Sequence, residues 1–253
     1  MTRTLSFVAS LFATLPIFFV SLAHAESPTG WEVGVGFERY TWKETASTIA
    51  IEPKESGNRL AIHVGWTPLK YDGNPYFAYV GKIYGGTVNY DTATIGGAIP
   101  VSTTTNYVGM VNEVKGMLPI GVIELVTGLG YDFWSRSIAD GITNTGTFVQ
   151  GYTENWEILF TRFGIAANIF ETVNFAVGIK YTLQNNESGW GISGHPGQSS
   201  SPYADVSFRV KPNLKLAAYL DTYNFQESKV TSSGIYQPKS KMTALGVKAI
   251  WNF

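Results

Sequence analysis

From residue 31 onward, apolar and polar side chains alternate with period two over runs of about ten residues, each run closed by a turn or a polar loop. Val173, Phe175, Val177, Ile179, Tyr181 and Leu183 alternate with Asn174, Ala176, Gly178, Lys180, Thr182 and Gln184. Ile123, Leu125, Thr127, Leu129, Tyr131 and Phe133 interleave in the same way with Glu124, Val126, Gly128, Gly130 and Asp132. Successive strand side chains point to opposite faces, so every run predicts a β-strand with one apolar and one polar face. A helix cannot use such a pattern, and the expected fold class is all-β.

A soluble sandwich also alternates. Three features favour a sheet closed on itself with its apolar face outward, a transmembrane barrel. The runs exceed the five or six residues usual for soluble strands. Their polar faces mix glycine and small residues with charges of both signs. Aromatic residues gather at the run ends, with Trp31, Trp66, Tyr76, Phe77, Trp251 and Phe253 at one level and Tyr40, Trp42, Phe133, Trp134, Trp156 and Tyr203 at the other. Aromatic girdles of that kind are expected where amphipathic rings meet the two membrane interfaces.

Ten strands are predicted, near 31–42, 57–67, 75–88, 104–118, 121–135, 152–168, 172–184, 203–212, 213–226 and 240–253, with eight as the alternative. Their connections alternate between short turns and long polar loops at 43–56, 89–103, 136–151, 185–202 and 227–239. An even count puts both chain ends on the short-turn, periplasmic side and lets the first and last strands pair. Closure is required because edge amides find no water in lipid. The segment 152–168 alternates least cleanly, since Trp156, Ile158 and Phe160 share a face with Arg162.

Residues 1–25 read as a secretory signal peptide: Arg3 supplies the positive start, an apolar stretch follows from Leu5 to Leu22, and Ala23-His24-Ala25 fits a cleavage site. Residues 26–253 are then a single barrel domain. The final segment, Lys241 to Phe253, resembles the closing strand of bacterial outer-membrane β-barrel proteins, with Leu245, Val247, Ala249, Trp251 and Phe253 in alternation. That resemblance implies a Gram-negative outer-membrane location, contact with membrane lipids and lipopolysaccharide, and reading of Trp251 and Phe253 by the barrel assembly machinery.

Composition narrows the function classes. With 18 Lys and Arg against 19 Asp and Glu, no basic face for nucleic acid is expected. The absence of cysteine excludes thiolate chemistry. No cofactor is implied, and no enzyme is expected. His63 falls on the polar face of the second strand, as a hydrogen-bonded interior histidine, and His195 in a loop. A ten-strand count invites comparison with the omptin proteases, whose acidic pair and Asp/His dyad need Asp-x-Asp or Asp-x-His; neither occurs here. Lipid A deacylases use His-x-Ser, also absent.

The interior is the informative surface. The predicted register sends Glu32, Glu38, Glu113, Glu124, Asp132, Asp205 and Asp221 inward against Arg59, Lys82, Lys115, Arg162, Lys180, Arg209, Lys215 and Lys248. Near balance predicts ion pairs across a crowded lumen, hence a structural barrel or a narrow pore. Two other functions stay open: a surface adhesin or receptor binding an extracellular ligand through its loops, and a membrane-embedded hydrolase using His63 and Asp132.

Overall fold

The computed structural model describes residues 30–45, 52–68, 73–93, 99–170, 172–189, 192–230 and 236–253. The predicted signal peptide lies outside the described residues.

Ten antiparallel strands form the wall: β1 (Gly30–Thr45), β2 (Lys54–Thr67), β3 (Tyr76–Ala93), β4 (Pro100–Ile120), β5 (Ile123–Ile138), β8 (Tyr152–Phe170), β9 (Val173–Gly189), β11 (Ser200–Lys211), β12 (Leu214–Phe225) and β13 (Lys239–Asn252). Each pairs with its neighbour, and β1 pairs with β13, so the described wall is closed. At the seam Glu32 lies opposite Asn252, and the Phe253 amide donates to the Trp31 carbonyl at 2.9 Å. Three short strands, β6 (Gly141–Thr143), β7 (Phe148–Val149) and β10 (Ile192–Gly194), extend the wall at the long-loop end. The fold is thus all-β with ten wall strands, and the eight-strand alternative is excluded.

The short turns set one end of the barrel. Gly121 adopts φ +62° in the two-residue turn between β4 and β5, a conformation that side chains with a Cβ resist. Most strands run further toward the other end than predicted. β1 reaches Thr45 rather than 42, β2 starts at Lys54 rather than 57, β5 reaches Ile138 rather than 135 and β9 reaches Gly189 rather than 184. The polarity of these extensions hid them: beyond the apolar belt their outward residues turn hydrophilic, as with Lys43, Ser56 and Ser137, and read as loop.

Outward positions carry the apolar belt, including Val35, Phe37, Leu60, Ile62, Ile83, Val114, Leu129, Phe163, Ile179 and Val247, all exposed. In water such a surface would be prohibitive; in a bilayer it is the solvated one. Trp31, Trp66, Phe77, Trp251 and Phe253 do form an exposed aromatic rim at the turn end. The other rim does not exist as predicted. Of its six members only Phe133 faces outward, while Tyr40, Trp42, Trp134, Trp156 and Tyr203 are buried, on the lumen face of their strands. Tyr76, assigned to the turn-end girdle, bonds to the lumen residue Glu124. Strand parity decides it: Tyr40 and Trp42 share the face of Glu38, and Trp134 that of Asp132.

Candidate functional site: a lumen filled in one half and hollow in the other

The lumen divides into three tiers. At the long-loop end, above the belt, Arg136 is the hub. Its Nε lies 2.6 Å from Glu154, one terminal nitrogen 3.4 Å from Glu44 and the other 3.8 Å from Glu55. Indole nitrogens complete the shell: Trp42 donates to Glu44 at 2.9 Å and Trp156 to Glu154 at 3.3 Å. Glu55 also accepts from the hydroxyls of Thr105, at 2.8 Å, and Tyr107.

The rings under these polar heads pack as in a protein core. Trp134 stacks on Trp156 with centroids 5.6 Å apart, Trp42 meets Trp156 edge-on at 5.2 Å, and Tyr223 stacks on Phe225 at 5.7 Å. All five rings are 0–1% exposed. Offset stacking and edge contacts are the favoured aromatic geometries. Inward glycines make the space: a Cβ on Gly130 would fall 2.3 Å from the Phe160 ring.

At mid-height, Glu38 accepts from Arg59 at 2.7 and 3.1 Å, from Lys82 at 2.8 Å and from the Tyr219 hydroxyl at 2.8 Å. The Arg59 guanidinium lies 4.1 Å from the Tyr40 ring centroid and 4.3 Å from that of Tyr84. Asp132 accepts the hydroxyls of Tyr84 and Tyr223 at 3.1 and 3.0 Å. Lys180 pairs with Asp221 at 2.5 Å while its ammonium sits 3.3 Å from the Tyr223 ring centroid.

Toward the short turns the rings give out and a cavity of 330 Å³ opens. Three ion pairs stand on its wall: Arg162 with Glu113 at 2.8 Å, Lys248 with Asp205 at 2.9 Å, and Lys215 with Glu32. Lys115 and Arg209 line it as well, and Glu124 at its mouth accepts the Tyr76 hydroxyl at 3.0 Å. The fifteen charged lumen positions named from the sequence, and His63 with them, therefore occupy the middle and turn-end tiers. The loop-end tier of Glu44, Glu55, Arg136 and Glu154 was missed. Its signal was present: carried past the predicted strand ends, the parity of Glu38 reaches Glu44, that of Arg59 reaches Glu55, and that of Asp132 reaches Arg136.

The hydrolase candidates stand apart. His63 is 8% exposed, its Nε2 lacks a hydrogen-bond partner, and its ring meets Tyr219 edge-on at 5.7 Å. Asp132 is held by two tyrosines. His195, in its loop, bonds through Nδ1 to Asn186 at 3.0 Å. Among the described residues no cluster of His, Asp and Glu is arranged to hold a metal ion.

Above the belt the acids outnumber Arg136, and titration follows. Burial, aided by Glu154 and Glu44 against the opposing pull of Arg136, pushes the Glu187 carboxyl up to about 8. Burial also raises Glu44. A carboxyl raised in the folded state keeps its proton where the unfolded chain has lost it. Its contribution is therefore most favourable below about 4.5 and declines as pH rises toward about 8. Hydrogen exchange of the β8–β9 loop-end amides should accelerate across that window beyond its intrinsic pH dependence, and Glu187→Gln should flatten the excess. An unchanged profile in the variant would remove Glu187 as its source.

No family model matches the chain, and no curated protein matches its sequence. Solved structures do match in fold. The outer membrane protease OmpT from Escherichia coli aligns over 92% of this chain and 99% of its own with a TM-score of 0.54 at 11% identity. The transport unit of the autotransporter AIDA-I from Escherichia coli aligns over 98% of both chains, with a TM-score of 0.45 at 10% identity. Neisserial surface protein A covers 90% of this chain and 100% of its own, with a TM-score of 0.41 at 10% identity. The chain has the fold of bacterial outer-membrane β-barrel proteins.

Proposed function

We propose that the protein is an integral barrel of a Gram-negative outer membrane, closed in its outer half, with a structural rather than a conducting or catalytic role. Residues 1–25 direct export, and Trp251 and Phe253 present the closing strand to the assembly machinery. The short turns face the periplasm and the long loops the exterior. Lipopolysaccharide and phospholipid surround the belt.

The observation that carries this reading is the sealed upper lumen, where Trp42, Trp134, Trp156, Tyr223 and Phe225 pack to 0–1% exposure above the Glu38–Arg59 pair. These side chains come from the wall itself, so among the described residues there is no separate plug to withdraw. Ion conduction needs a continuous wet path, and the turn-end cavity stops below the rings. The lumen charges serve to hold the walls together. Reconstituted in planar bilayers, the wild-type barrel is expected to be silent; long-lived ohmic openings with a single unitary conductance would contradict a closed barrel.

A further inference from the structure

The outer wall at the β13–β1–β2 seam carries a feature that lumen architecture does not explain. Lys43 lies directly opposite Lys241 on β13 and directly opposite Lys54 on β2, so three lysines form one row across three strands. All three are exposed on the outward face. Like charges directly opposite on a sheet are destabilising. Local carboxylates answer this only in part. Glu52 pairs with Lys43 at 2.6 Å, while Asp91, across from Lys54, accepts from Ser102 at 2.8 Å. Among the described residues Lys54 and Lys241 have no ion-pair partner. Below the row on the same outward face comes Arg39, two positions above Phe37.

Beneath these cations lies a groove in the apolar belt. Val35, Phe37, Phe208, Leu216 and Val247 bound it, and Ala249 forms its floor between Leu216 and Val35. The row lies roughly 14 Å above Phe37, at a rise of about 3.3 Å per residue and a tilt of about 45°. The outward apolar residues here end at Phe37 on β1, Leu60 on β2 and Leu245 on β13, with Arg39 level with Leu245 and Asn58 above Leu60. Headgroups therefore begin directly above the groove, within reach of long lysine side chains.

We infer that this seam is a binding site for a net-anionic, phosphate-bearing lipid, with acyl chain in the Ala249 groove and phosphate groups between Arg39 and the lysine row. Charge complementarity selects the headgroup and the groove selects a lipid over a free anion. The inference rests on the outer-membrane reading above.

The test uses the mature chain refolded in neutral detergent, with heat-modifiable gel migration first establishing the barrel. Lipid A, phosphatidylcholine and inorganic phosphate are then titrated separately, with bound species counted by native mass spectrometry. Wild-type protein should retain lipid A in preference to the other two. At about a fivefold gain per lysine near an anionic headgroup, Lys43→Gln with Lys54→Gln and Lys241→Gln should weaken lipid A binding on the order of a hundredfold. Ala249→Trp, which fills the groove and leaves every charge, should weaken it too. Equal lipid A binding by wild type and the triple variant would overturn the site, as would inorganic phosphate bound as tightly as the lipid, or a second copy of the chain covering this face. Wild-type protein that fails to show heat-modifiable migration would overturn the barrel reading itself, and the lipid site with it.

Discussion

Replacing Arg136 by Met should lower the unfolding free energy by about 3–5 kcal/mol, the usual cost of leaving buried charges without their partner. The geometry explains why this residue should rank among the most sensitive positions. One guanidinium meets three carboxylates through three different nitrogens, with Glu154 at 2.6 Å, Glu44 at 3.4 Å and Glu55 at 3.8 Å. Its removal leaves three acids among indoles that are themselves almost wholly buried. Arg136→Lys should recover less than half of the loss, because a compact ammonium cannot present a planar fork to three partners. Urea titration in lipid vesicles, followed by tryptophan fluorescence, gives both values. A Met variant within about 1 kcal/mol of wild type would show that water, not Arg136, solvates these carboxylates.

The sequence makes the wall legible and the filling only partly so. Alternation is a backbone property: one apolar residue in every two over ten positions suffices to define β5 or β9, their outward faces and the antiparallel closure. Which strand face points inward also follows, since only one face is apolar throughout the belt. The filling is harder because an aromatic residue satisfies two environments. Trp42 and Trp134 suit a membrane interface as well as a packed interior, and their place near the strand ends favoured the former. Parity with Glu38 and Asp132 outweighs that preference, because a single-residue slip would send every belt residue of the strand inward. The segment from Tyr152 was the clearest warning. Trp156, Ile158 and Phe160 on the face of Arg162 looked like broken alternation, yet they are the aromatic and aliphatic filling itself. Arg136 and Glu55 were lost for another reason. They lie where the outward face has left the membrane, so both faces are polar and the period-two signal fades while the strands continue.

The mid-height tier separates a structural interior from a pore lining. Glu38 is fully buried and accepts from Arg59, Lys82 and Tyr219 together. Glu38→Leu leaves two cations without their carboxylate and should cost about 3–5 kcal/mol. The rings of Tyr40 and Tyr84 beside Arg59 offset only part of this, since a cation–π contact contributes about 0.5–2 kcal/mol. Adding Arg59→Met should then restore most of the loss: the pair is replaced by apolar volume that the neighbouring rings can cover. Lys82 needs no new partner, because it lines the turn-end cavity and can turn its ammonium into water. The non-additivity is the diagnostic, measured by urea unfolding of both single variants and the double variant. If the double variant is as unstable as the sum of the singles, Glu38 and Arg59 do not act as a pair. In a pore, the same substitutions would instead alter ion selectivity and leave the unfolding midpoint nearly unchanged. A charge that sets selectivity must keep contact with permeating water, whereas Glu38 spends its contacts on its own walls.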